Sequence, residues 1–380
     1  MRQPLHVLEH PREAVRNFTP NWFTVTMGTG ILALMLAKFP YHVPGLVPAG
    51  RALWVLNLLL FAVASLLFVA RFAAFPREAL ASLEHPVESM FLGAIPMGLA
   101  TLVNGTVAFA VPRFGHAAVT AAQVGWWADV SLSVVCGLLV PYLMFTRQDH
   151  GLDRMTATWL LPIVPAEVAA ASGGQIAPLV SAAAARTIEY TSYVLWALSV
   201  PLALAVLTIL FLRLALHKLP PRELGVTGWL TLGPLGTGSF GLLLLGVAAP
   251  RAFAGTPLAA LGPVADGVGV LGGLALWAYG LWWWVTAAAG TLRFVREGGL
   301  PFNMGWWGFT FPLGVYTAAT LTLGHVTGFA PFTVFGALLV LLLTGLWGIV
   351  ALHTLRGAWH GHLFRVLTAD PELDEEEVAA

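Results

Sequence analysis

Charged residues are scarce in this chain of 380 residues. They make up 10% of the sequence, against about 25% in an ordinary soluble domain, whereas hydrophobic residues make up 58%. Residues 298–355 contain no Asp, Glu, Lys or Arg, and the mean hydropathy of the chain is +0.79. This composition excludes a soluble domain and predicts an all-α membrane protein that crosses the bilayer many times.

Several functional signatures are also missing. The net charge is zero, so nothing points to a nucleic-acid partner, and the single cysteine, Cys136, cannot form an internal disulfide. The sequence has no P-loop, no HExxH and no nucleophile elbow. Three histidines lie near the end of the last apolar segment and just after it, without a neighbouring Cys or acidic cluster that could complete a metal site: His353, His360 and His362. We therefore expect no enzyme activity, no catalytic residue, no metal site and no cofactor.

Ten apolar segments are long enough to be considered as membrane spans. They run roughly 20–38, 52–70, 86–109, 117–145, 155–172, 188–212, 226–249, 264–292, 303–324 and 331–355. If all ten cross the membrane, fourteen Lys and Arg residues fall on the side of the two termini and five on the other side. Positive charge marks the cytoplasmic side, so both termini are predicted to face the cytoplasm from the inner (plasma) membrane of the cell.

This arrangement divides the chain into three parts. Residues 1–19 form a cytoplasmic N-terminal segment, residues 20–355 the transmembrane domain, and residues 356–380 a cytoplasmic tail. The tail is acidic from Asp370 onward, with the sequence DPELDEEEVAA. Such a composition is typical of a segment without a packed core.

The segments alternate in character. The odd-numbered ones contain helix-breaking residues at their centres, whereas the even-numbered ones are mostly Leu, Val, Ala and Phe. We predict kinks at Gly28, Pro96, Pro162, Pro165, Pro234 and Pro312. The regular recurrence of these prolines indicates five helical hairpins, with five kinked inner helices around a central pore and five outer helices facing lipid. The alternative is that Pro and Gly only permit close helix packing.

The odd-numbered segments offer an anion polar but uncharged hydrogen-bonding groups. None carries a Lys or Arg in its interior, so an anion would meet hydroxyls, amides and the positive ends of broken helices. The candidate pore groups are Thr26, Ser239 and Thr310. A pore lined in this way would hold anions weakly and release them easily.

Two further side chains in these segments each have two interpretations. Glu167 is an acid deep in the fifth segment, and it could carry a coupled proton or satisfy a backbone N–H freed by a proline. Phe311 adjoins Pro312 in a stretch of small residues, and it could occlude the path or simply pack in the core. The residues alone leave both questions open.

Five stretches together carry a family resemblance. They are NFTPNWFTVTMGTG (17–30), HPVESMFLGAIPMGLATLVNG (85–105), WLLPIVPAEVAAASGG (159–174), GPLGTGSFG (233–241) and FNMGWWGFTFPLGVYTAATLTLG (302–324). The chain resembles the tellurite-resistance/dicarboxylate transporter family, which includes slow anion channels, malate permeases and sulfite efflux pumps. The motifs are most similar to the sulfite-efflux branch.

The resemblance implies a homotrimer of independent pores in the lipid bilayer, each gated by a Phe at the position of Phe311. It implies small inorganic or dicarboxylate anions as substrates, and the leading expectation is export of sulfite or bisulfite. The alternatives are transport of malate and other C4-dicarboxylates, with or without proton coupling, and a less selective anion channel or tellurite-resistance permease.

Overall fold

A computed structural model describes residues 5–364, and the acidic tail predicted from Asp370 onward lies outside this range. Ten helices of 12 residues or more lie within the described residues. We name them α1 to α10: Phe23–Ala37, Leu46–Ala74, Ala94–Gly105, His116–Thr146, Pro165–Ile176, Ala182–His217, Leu232–Ala252, Leu261–Arg296, Phe311–Thr327 and Ala330–His360.

The described range contains helices joined by loops and no strands, as the sequence predicts. Within residues 5–364, seven helical stretches are long and apolar enough to cross a membrane: Leu46–Ala74, Glu88–Phe114, His116–Thr146, Ala182–His217, Arg222–Ala252, Leu261–Arg296 and Ala330–His360. The helices α1, α5 and α9 are shorter, at 15, 12 and 17 residues. Each of the ten predicted segments overlaps one of α1 to α10, although 155–172 and Pro165–Ile176 share only residues 165–172.

The five odd-numbered helices share a local design. Each follows a short 3₁₀ helix, and these lie at Pro20–Trp22, Glu88–Gly93, Ala157–Leu160, Arg222–Thr231 and Met304–Phe309. The 3₁₀ helix is narrower and has poorer hydrogen-bond geometry than the α-helix, so it is used in short pieces at helix ends. Among the even-numbered helices of the described range, α6 alone has a 3₁₀ helix close before it, at Ala177–Leu179. The feature is therefore regular in the odd-numbered set and sporadic in the even-numbered one.

The prolines predicted to kink these helices lie at or near the change from 3₁₀ to α geometry. Pro165 and Pro312 are the first and second residues of α5 and α9, and Pro96 and Pro234 are the third residues of α3 and α7. Pro162 lies in the turn just before α5. In the first turn of an α-helix the backbone N–H groups have no intrahelical partner. A proline there therefore costs the helix no hydrogen bond.

The odd-numbered helices contact one another in a closed ring. Helix α1 contacts α3, α3 contacts α5, α5 contacts α7, α7 contacts α9, and α9 contacts α1 again. Each even-numbered helix packs against the odd-numbered helix that precedes it. Glycines permit the close approaches within the ring: a Cβ at Gly236 would lie 2.6 Å from the backbone nitrogen of Tyr316.

Burial separates the two sets of helices. In the most apolar part of Arg222–Ala252, which contains α7, 89% of residues are buried, against 11% in α2 and 17% in α8. The large exposed side chains of α2 and α8 are apolar, for example Leu66 and Leu271. A helix with an apolar exposed surface is suited to lipid, whereas the ring helices are enclosed by protein.

Candidate functional site

A narrow cavity lies at the centre of the ring. All five odd-numbered helices contribute side chains to its walls. One from each, in the order α1, α3, α5, α7 and α9, is Ile31, Thr101, Ala171, Thr237 and Val315. Its volume is ≈ 30 Å³, which is room for about one water molecule. The lining residues extend from Ile31 of α1 to Lys38, seven residues further along the chain, which corresponds to about 10 Å along a helix axis.

Phe311 lies in the wall of this cavity, where the sequence placed its candidate occluding residue. It is the first residue of α9, directly after the 3₁₀ segment Met304–Phe309, and only 3% of it is exposed. Val315 and Ala318 follow it along the same face of α9, one and two turns further on. A second aromatic residue, Phe240 of α7, lines the same cavity.

The polar part of the wall consists of side chains that the sequence could not single out. Thr101 of α3 is already paired, because its Oγ1 donates to the Gly98 carbonyl at 2.7 Å and accepts from Asn57 Nδ2 at 3.0 Å. In contrast, Asn104 Oδ1 and Thr237 Oγ1 are buried and have no hydrogen-bond partner within residues 5–364. The cavity therefore contains polar atoms with unused bonding capacity.

One positively charged residue, Lys38, reaches the cavity. It follows the last residue of α1, and its Nζ lies 5.1 Å from the centre of the Phe240 ring, within the usual range of a cation–π contact. Gln175, near the end of α5, completes this part of the wall. Lys38 is exposed and makes no salt bridge with any described residue.

The three hydroxyls proposed from the sequence as pore groups lie elsewhere. Thr26 donates to the Phe23 carbonyl, Thr310 to the Trp307 carbonyl and Ser239 to the Gly273 carbonyl of α8, each at 2.7 Å. None of the three lines the cavity. Each hydroxyl therefore uses its proton on a backbone acceptor, and Ser239 faces an outer helix.

Gly28 lies at a contact between α1 and the start of α9. A Cβ at this position would lie 2.2 Å from Thr310 Oγ1 and 2.5 Å from the ring of Trp307. The absence of a side chain at Gly28 thus lets α1 approach the segment that positions Phe311. This is the close-packing role that the sequence left as an alternative to a kink.

Glu167 is fully buried in the first turn of α5. Neither of its carboxylate oxygens forms a hydrogen bond of normal geometry in the described part of the chain. The Ser199 hydroxyl lies near the carboxyl group, but it donates to the Ile163 carbonyl at 2.9 Å. Its Oε2 would lie 3.4 Å from a Cβ placed on Gly238, so the carboxyl group faces α7 and is not part of the cavity wall.

Lys38 was not predicted as a site residue, because in the sequence it stands at the end of an apolar segment, where a lysine is ordinarily a loop charge. A positional signal was nevertheless present. Lys38 is seven residues after Ile31, four after Leu34 and three after Met35, so it lies on the face of α1 that these cavity-lining residues define. The same rule groups Thr237 with Phe240 on α7 and excludes Ser239.

Apolar outer helices around a ring of buried helices, with a partly polar cavity on the axis of the ring, define an integral membrane transport protein. Comparison with known proteins specifies the class further. A model of the voltage-dependent anion channel family matches residues 17–355. The chain belongs to this family.

Individual relatives extend the comparison over nearly the whole chain. The chain is 40% identical over 358 residues to the sulfite efflux pump of Arthroderma otae. The aligned residues cover 93% of this chain and 94% of that protein. It is similarly 40% identical to the sulfite efflux pump of Trichophyton rubrum, with the same coverage. The malic acid transport protein of Schizosaccharomyces pombe is 24% identical over 348 residues, which covers 88% of this chain and 77% of that protein. The predicted family resemblance is confirmed.

Proposed function

We propose that this protein carries small anions along the axis of its five odd-numbered helices and that its main substrate is sulfite or bisulfite, which it exports. The observation that carries this proposal is the cavity that all five helices line, with Phe311 in its wall and unpaired polar atoms beside it. An anion that enters the cavity exchanges part of its hydration for these side chains.

Sulfite is favoured over C4-dicarboxylates for two reasons. Three relatives named as sulfite efflux pumps are 40% identical to this chain and two more are 28% and 25% identical, whereas the malic acid transport protein is 24% identical. The cavity wall also contains one lysine and no arginine, and a dicarboxylate would present two anionic groups. Malate transport is the alternative, and a less selective anion channel or tellurite-resistance permease is a further one.

Phe311 is the proposed gate. Its ring lies in the wall of a space that admits about one water molecule, so a hydrated anion cannot pass while the ring stays in place. A rotamer change of one aromatic side chain is a small motion compared with the rearrangement of a helix. We therefore propose that the gate opens through motion of this side chain, with the five odd-numbered helices remaining in contact as a ring.

The membrane arrangement that we propose has ten spans in five hairpins, with α1, α3, α5, α7 and α9 as the inner set. The closed ring of contacts and the burial of α7 support it. The distribution of Lys and Arg supports cytoplasmic termini in the inner (plasma) membrane. With these termini, Lys38 lies at the outer end of the cavity. The family resemblance supports a homotrimer in which each subunit has its own pore.

Proton coupling through Glu167 is a second proposal. A buried carboxyl group without a hydrogen-bond partner is costly to keep charged in a membrane protein, so such a group is a natural proton carrier. Glu167 lies outside the cavity wall, and its effect on the anion would be transmitted through α5 and α7.

A flux panel in proteoliposomes tests the proposed function. Purified protein is reconstituted, and the fluxes of sulfite, malate, chloride, nitrate and tellurite are measured at two pH values. We expect the highest flux for sulfite, and protein-free liposomes give the background. A protein that carries malate faster than sulfite would support the alternative, and one that carries none of the five anions would contradict the proposal.

A further inference from the structure

We infer that Lys38, Phe240, Asn104, Thr237 and Gln175 form a binding subsite for a single anionic group at the outer end of the cavity, separate from the Phe311 gate. This inference rests on the proposed anion transport and specifies where, and by which side chains, the anion is held. Four helices supply the five residues, so the subsite exists only in the assembled ring.

The position of the Lys38 ammonium group is the first observation. Its Nζ lies over the Phe240 ring at 5.1 Å from the ring centre, and no described acidic side chain forms a salt bridge with it. The ring face offers attraction without occupying the ammonium hydrogens as a carboxylate would. The three donors of Lys38 therefore remain available to an anion.

The unpaired polar atoms of α3 and α7 are the second, independent observation. Asn104 is 9% exposed and Thr237 is 1% exposed, and each lines the cavity with an oxygen that has no partner among the described residues. A buried polar atom without a partner costs about 1–3 kcal/mol. The Thr237 hydroxyl can donate its proton to a bound anion, which would remove this cost at that atom. The Asn104 amide can donate to the same anion through its Nδ2 group, whereas its Oδ1 is an acceptor.

The composition of the subsite defines its ligand class. One ammonium group, two amides and one hydroxyl provide donors for a single negatively charged group, and the cavity wall has no second cation. Small oxyanions and halides, such as bisulfite, nitrate and chloride, satisfy this requirement. A C4-dicarboxylate would leave one carboxylate against the apolar side chains of Ile31, Leu34 or Val315, which is unfavourable.

The location of the subsite gives it a role in transport. Phe311 begins α9, whereas Lys38 and Gln175 lie at the far ends of α1 and α5, so the subsite lies beyond the gate for an anion that leaves the cell. It attracts the anion past the Phe311 ring and then releases it to solvent, because Lys38 itself is exposed. Loss of the subsite should therefore weaken anion affinity on this side more than it reduces the maximal flux.

Three variants test the inference. Lys38→Met keeps the apolar stem and removes the charge, Lys38→Arg keeps the charge, and Thr237→Val removes the hydroxyl at nearly constant volume. The control is Arg51→Gln, because Arg51 is exposed at the start of α2, on the same side as Lys38, and lies outside the cavity wall. This control separates a bound anion from a general surface potential.

The first readout is the half-saturating concentration of sulfite and nitrate in proteoliposomes, with anion added at the Lys38 side. We expect an increase of about tenfold or more for Lys38→Met, a smaller increase for Thr237→Val, and near-normal values for Lys38→Arg and Arg51→Gln. Equal half-saturating concentrations in Lys38→Met and Arg51→Gln, with normal wild-type flux, would overturn the subsite and leave the proposed function intact.

The second readout does not depend on flux. Sodium nitrate or sulfite, compared with sodium gluconate at equal ionic strength, should raise the thermal unfolding temperature of the solubilised wild-type protein but not that of Lys38→Met. If the anions stabilise the wild-type protein but not Lys38→Met, the subsite is supported. If the wild-type protein in addition shows no measurable anion flux, the transport proposal is contradicted while the subsite stands. Stabilisation that Lys38→Met retains would overturn the subsite.

Discussion

Replacement of Phe311 by alanine should increase anion flux even though it destabilises the protein. Phe311 is 3% exposed and lines the axial cavity, so the substitution removes six ring carbons from the wall of this small space. Truncation of a buried Phe costs about 3–5 kcal/mol of folding stability. A structural role alone would therefore predict less functional protein and less flux.

The expected gain in flux follows from the size of the cavity. A space of ≈ 30 Å³ holds about one water molecule, so an anion must shed most of its hydration to pass the ring. Without the ring, the anion can keep additional waters. A reduction of the barrier by about 1.4 kcal/mol increases the flux tenfold, and we expect at least this increase per folded molecule.

The assay compares two phenylalanines in proteoliposomes with equal amounts of folded protein. Phe309 is the matched control, because it is 4% exposed, lies two residues before Phe311 and packs against Trp229 at a ring distance of 5.3 Å, outside the cavity wall. Phe309→Ala should lower the unfolding temperature as much as Phe311→Ala without any increase in flux. Equal flux in both variants, or lower flux in Phe311→Ala, would refute the gate.

Two other substitutions test separate parts of the account. Glu167→Gln should abolish the pH dependence of sulfite flux while anion exchange continues, and wild-type flux that is independent of pH would rule out coupling through this residue. Gly236→Ala should lower the unfolding stability by about 1–3 kcal/mol in a detergent melt, because the new Cβ would meet the backbone of α9 at 2.6 Å. Gly233→Ala, with no atom within 4 Å, should be neutral or slightly stabilising, and equal effects would contradict the close packing of the ring.

The positions of the helices could be predicted because long apolar segments leave few alternatives. The predicted segment 117–145 is the helix His116–Thr146, and 264–292 is contained in Leu261–Arg296. The effect of a single proline was less predictable. Pro141 and Pro201 lie inside the continuous helices α4 and α6, whereas Pro312 lies at the start of an α-helix after a 3₁₀ segment. Neighbouring helices decide which of these outcomes occurs.

The individual wall residues could not be chosen from composition. A hydroxyl in an apolar helix can face the axis, a neighbouring helix or its own backbone, and its direction depends on the rotation of the helix in the assembled ring. Ser239 and Thr237 are two residues apart and therefore face nearly opposite directions. Ser239 donates to α8, and Thr237 lines the cavity. Phe311 was identified because the family resemblance added information that its own sequence context lacks.

The central claim is that the anion path follows the axis of the ring. Gln175 is a partly exposed residue of the cavity wall, and the one native cysteine, Cys136, is buried. A negatively charged thiol reagent applied to Gln175→Cys in proteoliposomes should block sulfite flux, whereas the same reagent on Val47→Cys, which replaces a residue that is 54% exposed at the start of α2, should not. Complete labelling of Gln175→Cys with unchanged sulfite flux would contradict the account.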